Sequence, residues 1–278
     1  MEIWCDTDGW KTRLQKRSAV PIFMHAAQEY ASTGGEDTRM ALSVTSHVAK
    51  APSPHETLPL ESGDRLTRAE FERRYAAMPH LKKAELIEGV VYMPSPVRHR
   101  QHGSPHVQLI SWLGHYQAGT SGVEAGDNST VRLDLDNEPQ PDALLLIAPE
   151  RGGQTHIDAD GYIAGPPELV AEVASSSASY DLHAKLHAYR RNGVREYLVW
   201  RVLEQEVDWF ILRAGQYERL PLGVDGLLRS EVFAGLWLAP AALVRGDLSR
   251  VLTVGQQGLL SPEHTAFVAR LSPPAATP

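Results

Sequence analysis

The stretch that decides the fold is residues 169–174, LVAEVA, an apolar run that carries one carboxylate, Glu172, near its middle. A short apolar run of this length is typical of a buried strand. A carboxylate in such a strand is costly unless it is paired, hydrogen-bonded or bound to a metal. Glu172 therefore indicates that a cation lies beside this strand, either a metal ion or the ammonium group of Lys185 on the helix that follows.

A second carboxylate stands at the start of a second apolar run. Asp142 follows Pro141 and opens residues 143–147, ALLLI. The alternation of polar and apolar residues in 130–135, TVRLDL, predicts a strand, and we expect it to form a hairpin with the strand that Asp142 begins. Because Mg²⁺ prefers oxygen ligands and often takes only one or two carboxylates with water and phosphate, Asp142 and Glu172 are candidate metal ligands.

The rest of the organised part of the chain alternates between helical and extended patterns. Thr67 and Glu70 have the spacing of a capping box, which predicts the start of a helix. Residues 85–93, ELIEGVVYM, predict either a strand pair folded about residues 88–89 or one strand with a bulge. Apolar spacing predicts further helices at 106–116 and 181–191 and further strands at 195–202 and 207–212. The order of elements is mixed α/β.

The composition indicates the cellular compartment in which the protein is expected. Cys5 is the single cysteine, so an intramolecular disulfide and a cysteine-based zinc site are both excluded. No apolar run approaches the ~18 residues that a membrane span needs, and the N-terminus lacks the apolar core of a signal peptide. We therefore expect a cytoplasmic protein that does not interact with a membrane.

The net charge limits the kinds of molecule that the protein is expected to bind. The formal net charge of −7 argues against a protein that coats DNA non-specifically, because such binding depends on Lys and Arg neutralising phosphates. A nuclease remains compatible with this charge, since metal-binding carboxylates themselves add negative charge. Local basic clusters occur at residues 82–83, 98–102 and 190–195. Each is either ordinary solvated surface or a contact to phosphate.

The pattern also divides the chain. Polar connectors at 32–35 and 51–54 occur in an N-terminal region that has no sustained periodicity. We expect a flexible or disordered extension at residues 1–62, one domain at 63–250 and a C-terminal tail at 251–278. Met40 is a candidate alternative start, so residues 1–39 are a hypothetical upstream extension that the intact mass of the natively expressed protein tests.

Several short motifs occur in a fixed order across the domain. They are Glu85–Gly89 (ELIEG), Pro141-Asp142, Glu172–Ser175 (EVAS), Tyr180–Lys185 (YDLHAK), Tyr189, Gly193–Tyr197 (GVREY) and Val232–Leu238 (VFAGLWL). Each is common alone, but their combination resembles the Uma-two family of restriction-endonuclease-like proteins over residues 64–248. The resemblance implies an α/β (α+β) fold with a restriction-endonuclease-like PD-(D/E)XK core, in which a mixed β-sheet is flanked by helices.

The resemblance also implies an activity, a metal-dependent endonuclease that hydrolyses phosphodiester bonds of nucleic acid, with DNA as the expected substrate. Mg²⁺ or Mn²⁺ is expected on Asp142 and Glu172, with the backbone carbonyl of Val173 as a further ligand and Glu85 bound directly or through water. A divalent ion at such a site lowers the pKa of bound water and stabilises charge on the phosphate.

The catalytic lysine departs from the superfamily pattern. Many members place it two residues after the glutamate, where this chain has Ala174. Lys185 matches the family's own pattern and takes this role, in which it orients the attacking water or neutralises the transition state. Tyr180 and Tyr189 are expected to flank the site. Cutting both strands of a duplex needs two copies of a single-site domain, so a homodimer is a further expectation, and residues 232–238 are either core or interface.

Each assigned role has an alternative. If Glu85 does not bind the metal, it is a cap or an ion-pair partner at the end of the Lys82-Lys83 segment. The alternative for Asp142 is a turn residue. The alternative for Lys185 is an exposed helix residue that pairs with Asp181 four positions earlier.

The function has alternatives as well. One is a catalytically inactive nuclease-fold protein that binds nucleic acid or a protein partner, which Ala174 and the negative net charge favour. Another is a structural subunit of an oligomer, which the absence of a thermal shift with Mn²⁺ would favour. His99 and His102 either touch the phosphate or lie at the surface where a helix starts.

Overall fold

The computed structural model describes residues 57–93, 96–175 and 177–272. The helices are α1 Arg68–Ala76, α2 Ser104–Ala118, α3 Ala178–Tyr180, α4 Leu186–Asn192, α5 Pro240–Val244, α6 Leu248–Leu259 and α7 Pro262–Leu271. The strands are β1 Glu85–Ile87, β2 Val90–Tyr92, β3 Val123–Asp127, β4 Val131–Arg132, β5 Ala143–Ile147, β6 His156–Ile157, β7 Ile163–Ala164, β8 Leu169–Ala174, β9 Glu196–Arg201, β10 Glu206–Arg213, β11 Gln216–Arg219, β12 Leu228–Arg229 and β13 Trp237–Leu238. Two π-helical turns lead into α2 and α4, at His99–Gly103 and Asp181–Lys185.

A six-stranded sheet in the order β11-β10-β9-β8-β5-β3 forms the centre of the domain. β8 and β9 are parallel, and the other neighbouring strands are antiparallel, so the sheet is mixed. The parallel pair requires a crossover connection, which the α3–α4 segment supplies. β5 and β8 are buried at every position, which explains why both are apolar apart from Glu172 of β8. The predicted mixed sheet flanked by helices is confirmed.

Apolar clusters cover both faces of this sheet. On one face, Trp112 of α2 and Trp209 of β10 belong to the same cluster as Val173 of β8. On the other face, Val170 of β8 belongs to a cluster with Tyr189 of α4. Because successive strand residues point to opposite faces, β8 presents its even-numbered residues to the α4 side.

The β1–β2 pair confirms the predicted strand pair folded about residues 88–89. Glu88 and Gly89 both have positive φ, 53° and 71°, which is the geometry of a type I′ turn. Glu85 pairs with Tyr92 at the open end of the hairpin, and its side chain is buried. The tight turn therefore fixes the register that brings Glu85 into the interior.

The predicted hairpin between residues 130–135 and 142–147 is wrong. β5 pairs instead with β3 and β8, while β4 pairs in parallel with β7 in a separate three-stranded sheet. The 130–139 segment folds back on itself, since Val131 N–H donates to the Pro139 carbonyl at 2.9 Å. β3, VEAGD, has no apolar run that would reveal it as the edge strand beside β5.

The domain boundaries also need correction. Leu60, which falls in the predicted flexible extension, is buried in a small cluster with Phe71 and Val91. Predictions for residues 1–56, including the alternative start at Met40, lie outside the described residues. The folded part of the chain thus already includes Leu60.

The predicted C-terminal tail contains helical structure, because residues 251–271 form most of α6 and all of α7. Val251, Val254 and Phe267 lie in the main core cluster, and their spacing is that of helices with one buried face. Ser261 caps α7, with its Oγ accepting from His264 N–H at 3.2 Å. Both helices therefore belong to the domain, and residues 273–278 lie outside the described part.

Within the described ranges, no helix is long and apolar enough to cross a membrane. The sequence left open whether residues 232–238 lie in the core or at an interface. Phe233, Leu236 and Leu238 of this segment belong to the core.

Candidate active site

The C-terminal end of β8 extends beyond its pairing with β5. That pairing ends at Ala143 opposite Ala171, while β8 continues beside β9 as far as Ala174. At this end the Val173 N–H donates to Asp142 Oδ2 at 2.8 Å. Because the N–H and C=O of an extended residue point to the same side, the Val173 carbonyl also faces the Asp142 side. Asp142 and the end of β8 are therefore neighbours.

Lys185 occupies the centre of a buried ionic cluster. Its Nζ lies 2.9 Å from Glu172 Oε1, 3.0 Å from Glu85 Oε1 and 3.8 Å from Asp181 Oδ1. The residue is only 3% exposed. The predicted pairing with Asp181 is present, but it is buried rather than on the surface. The Tyr189 hydroxyl donates to Glu172 Oε1 at 3.0 Å.

The local geometry of the crossover explains how Lys185 reaches β8. The π-helical turn Asp181–Lys185 leads directly into α4, so Asp181, Lys185 and Tyr189 follow one another at four-residue intervals on one side. Single π turns inside helices occur frequently at functional sites. All three side chains are buried and face the Glu172 region.

Ala174 is fully buried and belongs to the apolar cluster on the α4 side of the sheet. Glu172 and Ala174 are two residues apart on one strand, so their side chains share this face. Lys185 thus approaches Glu172 from the helix that packs on the same face. The chain supplies from the start of α4 the ammonium group that position 174 does not.

Asp142 has its own set of basic partners. His102 Nε2 lies 3.1 Å from its Oδ2, and Lys83 Nζ lies 3.7 Å from its Oδ1. His106 Nε2 contacts the Asp142 backbone oxygen at 2.8 Å and the Asp127 carboxylate at 3.0 Å. Burial favours the neutral acid, but the hydrogen bond from His102 and the charge of Lys83 hold the pKa of Asp142 well below its usual range.

The site gathers more negative than positive charge. Burial, with the repulsion of Asp142, Asp181 and Glu85, raises the pKa of Glu172 to about 8 against the opposing charge of Lys185. Burial opposes the charge on Lys185 too, but the surrounding carboxylates raise its pKa well above the ordinary value, so its ammonium form persists. One buried lysine thus faces the carboxylates of Glu172, Glu85 and Asp181, with Asp142 nearby.

The donor set fits a divalent cation held by few protein ligands. In the part of the chain that the structure describes, no group of three or more His, Cys, Asp or Glu side chains has the spacing of a self-sufficient metal site. Mg²⁺ commonly takes only one or two carboxylates and completes its shell with water and phosphate. Asp142, Glu172 and the Val173 carbonyl are the candidate ligands, and a bound cation would offset part of the charge of the buried carboxylates.

Glu85 lies in the cluster, as predicted, but its contacts differ from those of Asp142. Its Oε1 accepts from the Gln140 N–H at 2.8 Å and lies against Lys185. Asp181 was expected only as a surface partner of Lys185, and it is buried in the cluster. His102 was expected either to touch phosphate or to lie at the surface, and the contact of His106 with Asp142 was not predicted. The four-residue spacing of His102 and His106 was the available signal for the pair.

Comparison with family models identifies the family of the chain. The model of the Uma2 family, described as "Putative restriction endonuclease", matches residues 68–241, which is more than half of the chain. The chain belongs to the Uma2 family. The match includes all of the predicted site residues, Glu85, Asp142, Glu172, Val173 and Lys185. Membership of Uma2 indicates a nuclease.

Other comparisons are more distant. A crystal structure titled as a "putative nuclease belonging to DUF820", from Anabaena variabilis ATCC 29413, has 15% sequence identity and a TM-score of 0.45, and the match covers 68% of this chain and 98% of that chain. No curated protein matches the sequence.

Proposed function

We propose that this Uma2 protein is a metal-dependent endonuclease that hydrolyses phosphodiester bonds of nucleic acid, with DNA as the first substrate to test. The observation that carries the proposal is the buried cluster in which Lys185 lies 2.9 Å from Glu172, beside the Asp142 carboxylate at the free end of β8. Burying several charges in one place is costly, and a role in binding a cation and a phosphate would account for this cluster.

In this proposal, Asp142, Glu172 and the Val173 carbonyl hold Mg²⁺ or Mn²⁺. The ion would supply an activated water and charge stabilisation for the phosphate. Asp142 is suited to this role because its carboxylate stays ionised. Glu172 binds a cation only in its ionised form, so binding and deprotonation of Glu172 are coupled.

Lys185 acts on the phosphate in this proposal. Its ammonium group stabilises negative charge as water attacks phosphorus and the bond to the leaving oxygen breaks. Glu85 and Asp181 orient Lys185 and keep it protonated. Tyr189 orients Glu172 through its hydroxyl, so each charged group has a second contact that limits its motion.

The test is cleavage of duplex DNA, single-stranded DNA and RNA by purified protein with Mg²⁺, Mn²⁺ or EDTA. Asp142→Asn and Glu172→Gln change one charge each at nearly constant shape, and Glu204→Gln is the matched control on an exposed turn. We expect cutting by wild type and the control with either metal ion, and loss of cutting with EDTA or with either site variant.

Equal background cutting in all four proteins would contradict the proposal. Metal binding by the wild type without any cleavage would favour the non-cutting, nucleic-acid-binding alternative. A homodimer is a further part of the proposal, and sedimentation of the protein with and without a duplex tests it.

A further inference from the structure

Two basic segments, residues 82–83 and 98–102, converge on Asp142. Lys83, just before β1, lies 3.7 Å from its Oδ1, and His102, in the π-helical turn before α2, lies 3.1 Å from its Oδ2. Lys82 adjoins the first contact, and Arg98 and Arg100 belong to the segment that leads to the second. The fold thus combines two sequence clusters into one surface at the edge of the proposed site.

The outer side chains of this surface are accessible to solvent, and Arg98 also donates to Gln101 Oε1 at 3.3 Å. Lys82, Arg98, His99 and Arg100 are exposed, and among the described residues none of them lies within ion-pair distance of a carboxylate. We call these four residues, together with Lys83, the basic rim.

Several arginines elsewhere on the surface lie beside acids, whereas Arg245 and Arg250 are exposed without an ion pair to any described residue. Examples of such pairs are Arg73–Glu70, Arg213–Glu218 and Arg229–Asp225. The basic rim thus groups Lys83 with four basic side chains that have no ion pair to a described residue, on a chain whose formal net charge is −7. A local cluster of positive charge of this kind attracts a polyanion towards the adjoining site.

We propose that the basic rim binds successive phosphates of one nucleic-acid strand and leads that strand to Asp142. The proposal rests on the proposed function, because the surface adjoins the site at which the bond would be cut. The shared chemistry is a phosphodiester backbone, which DNA and RNA both present. Contacts to phosphate position a strand without reading its sequence, so this binding is electrostatic and depends strongly on salt.

The experiment measures binding separately from cutting. All proteins carry Glu172→Gln, so that the nucleic acid is not cut during the measurement. Binding to fluorescein-labelled duplex DNA, single-stranded DNA and RNA is followed by anisotropy in Mg²⁺ between about 50 and 200 mM salt. Over this range a protein with six to ten phosphate contacts loses about 10³–10⁵-fold in affinity. The rim variant adds Lys82→Ala and Arg100→Ala. The control adds Arg245→Ala and Arg250→Ala, which remove the same charge from exposed positions outside the rim.

We expect the rim variant to bind at least about tenfold more weakly than the control at low salt, with the slope of log K against log[salt] reduced by about 2. The substrate with the largest loss identifies the strand type. All four substituted residues are exposed, so thermal unfolding should give equal Tm values for both variants.

The same affinity and slope for rim variant and control would overturn the inference, as would equal competition by polyglutamate or by anionic vesicles. A failure of the inference is distinguishable from a failure of the proposed function. Cutting by wild type with no rim effect overturns the inference alone, whereas a rim effect in a protein that never cuts overturns the proposed function alone.

Discussion

At the scale of the residue, the site depends on one lysine that reaches a glutamate from a neighbouring helix. Ala174 lies in the apolar cluster, and Lys185 places its ammonium group beside Glu172 from the start of α4. A positive charge thus reaches the glutamate although the strand itself carries none. The same principle applies to Asp142, whose basic partners, Lys83 and His102, come from two segments that are separated in the sequence.

His102 is a positioning residue for Asp142 in this account. We expect His102→Ala to weaken Mn²⁺ binding by about tenfold, the lower end for loss of an outer-shell partner, because Asp142 then loses one hydrogen bond that orients it. His102→Gln retains a donor of similar reach and should restore most of the affinity. Isothermal titration with Mn²⁺ measures both, with the exposed His187→Ala as control.

A purely structural role for His102 would lower Tm equally in the Ala and Gln variants and leave the Mn²⁺ affinity of the folded protein unchanged. That result would remove His102 from the site.

Glu196 offers a test of buried charge outside the site. It is fully buried, and burial raises its pKa to about 7 against the hydrogen bonds from Ser230 and from the backbone of Glu231 and Val232. The folded state therefore holds this proton more tightly than the unfolded state. The contribution of Glu196 to stability is fully present below about pH 4.5 and is lost as the pH rises towards 7.

Glu196→Gln keeps the acceptor for the two backbone N–H groups and cannot ionise. We expect the Tm of this variant to rise relative to that of wild type as the pH increases from about 4.5 to 7. Above about pH 7 the difference in Tm should stay constant. Thermal unfolding followed by circular dichroism across this range measures the difference. A difference independent of pH would mean that Glu196 is ionised throughout.

The acids of the site were accessible to sequence reasoning because each interrupts or opens an apolar strand. Glu172 inside LVAEVA and Asp142 before ALLLI each place a charge where the neighbouring residues are apolar, and a charge there needs a partner. The bonds of His102 and His106 to residue 142 were not accessible, since they depend on how the start of α2 packs against the start of β5. The burial of Asp181 likewise follows from tertiary packing.

At the scale of the element, α6 packs closely against the chain before β13. Adding a Cβ to Gly258 would bring it 2.1 Å from the Gly235 carbonyl oxygen, which is too close for any carbon atom. We expect Gly258→Ala to destabilise the domain by about 1–3 kcal/mol. Since 1 kcal/mol corresponds to about 2–4 °C for a chain of this size, the loss is measurable as a fall in Tm.

Gly114 is the matched control, because it lies inside α2 with no other atom within 4 Å of an added Cβ. Gly114→Ala should stabilise the protein by about 0.5–1 kcal/mol through helix propensity alone. If both substitutions had the same small effect, α6 would not be packed as described and the C-terminal segment would behave as the tail that the sequence pattern predicts.

The elements that the sequence predicted well are those with a local signal. The strands at 195–202 and 207–212 and the helix at 106–116 correspond to β9, β10 and α2. The β5 hairpin was mispredicted because its true partner β3 carries Glu, Gly and Asp on an edge of the sheet. Strand pairing is a non-local choice, so alternation in one segment does not identify its neighbour.

At the scale of the whole molecule, the sheet organises the charges. β8 is shared between an antiparallel neighbour, β5, that stops early and a parallel neighbour, β9, that continues. This difference in length leaves the backbone of Val173 open to Asp142. The crossover required by the parallel pair then carries Lys185 to the same place. The proposed site is therefore a direct consequence of the topology.

We propose that Lys185 and the acids around it form one catalytic centre for phosphodiester cleavage. The most direct test measures the single-turnover cleavage rate of Lys185→Met with saturating Mn²⁺, together with the affinity of this variant for Mn²⁺. The account predicts a rate about 10²–10³-fold below wild type, with Mn²⁺ binding retained by Asp142 and Glu172. Lys185→Arg, which keeps the charge, checks that the cluster still folds. Cleavage at the wild-type rate by Lys185→Met would contradict the account.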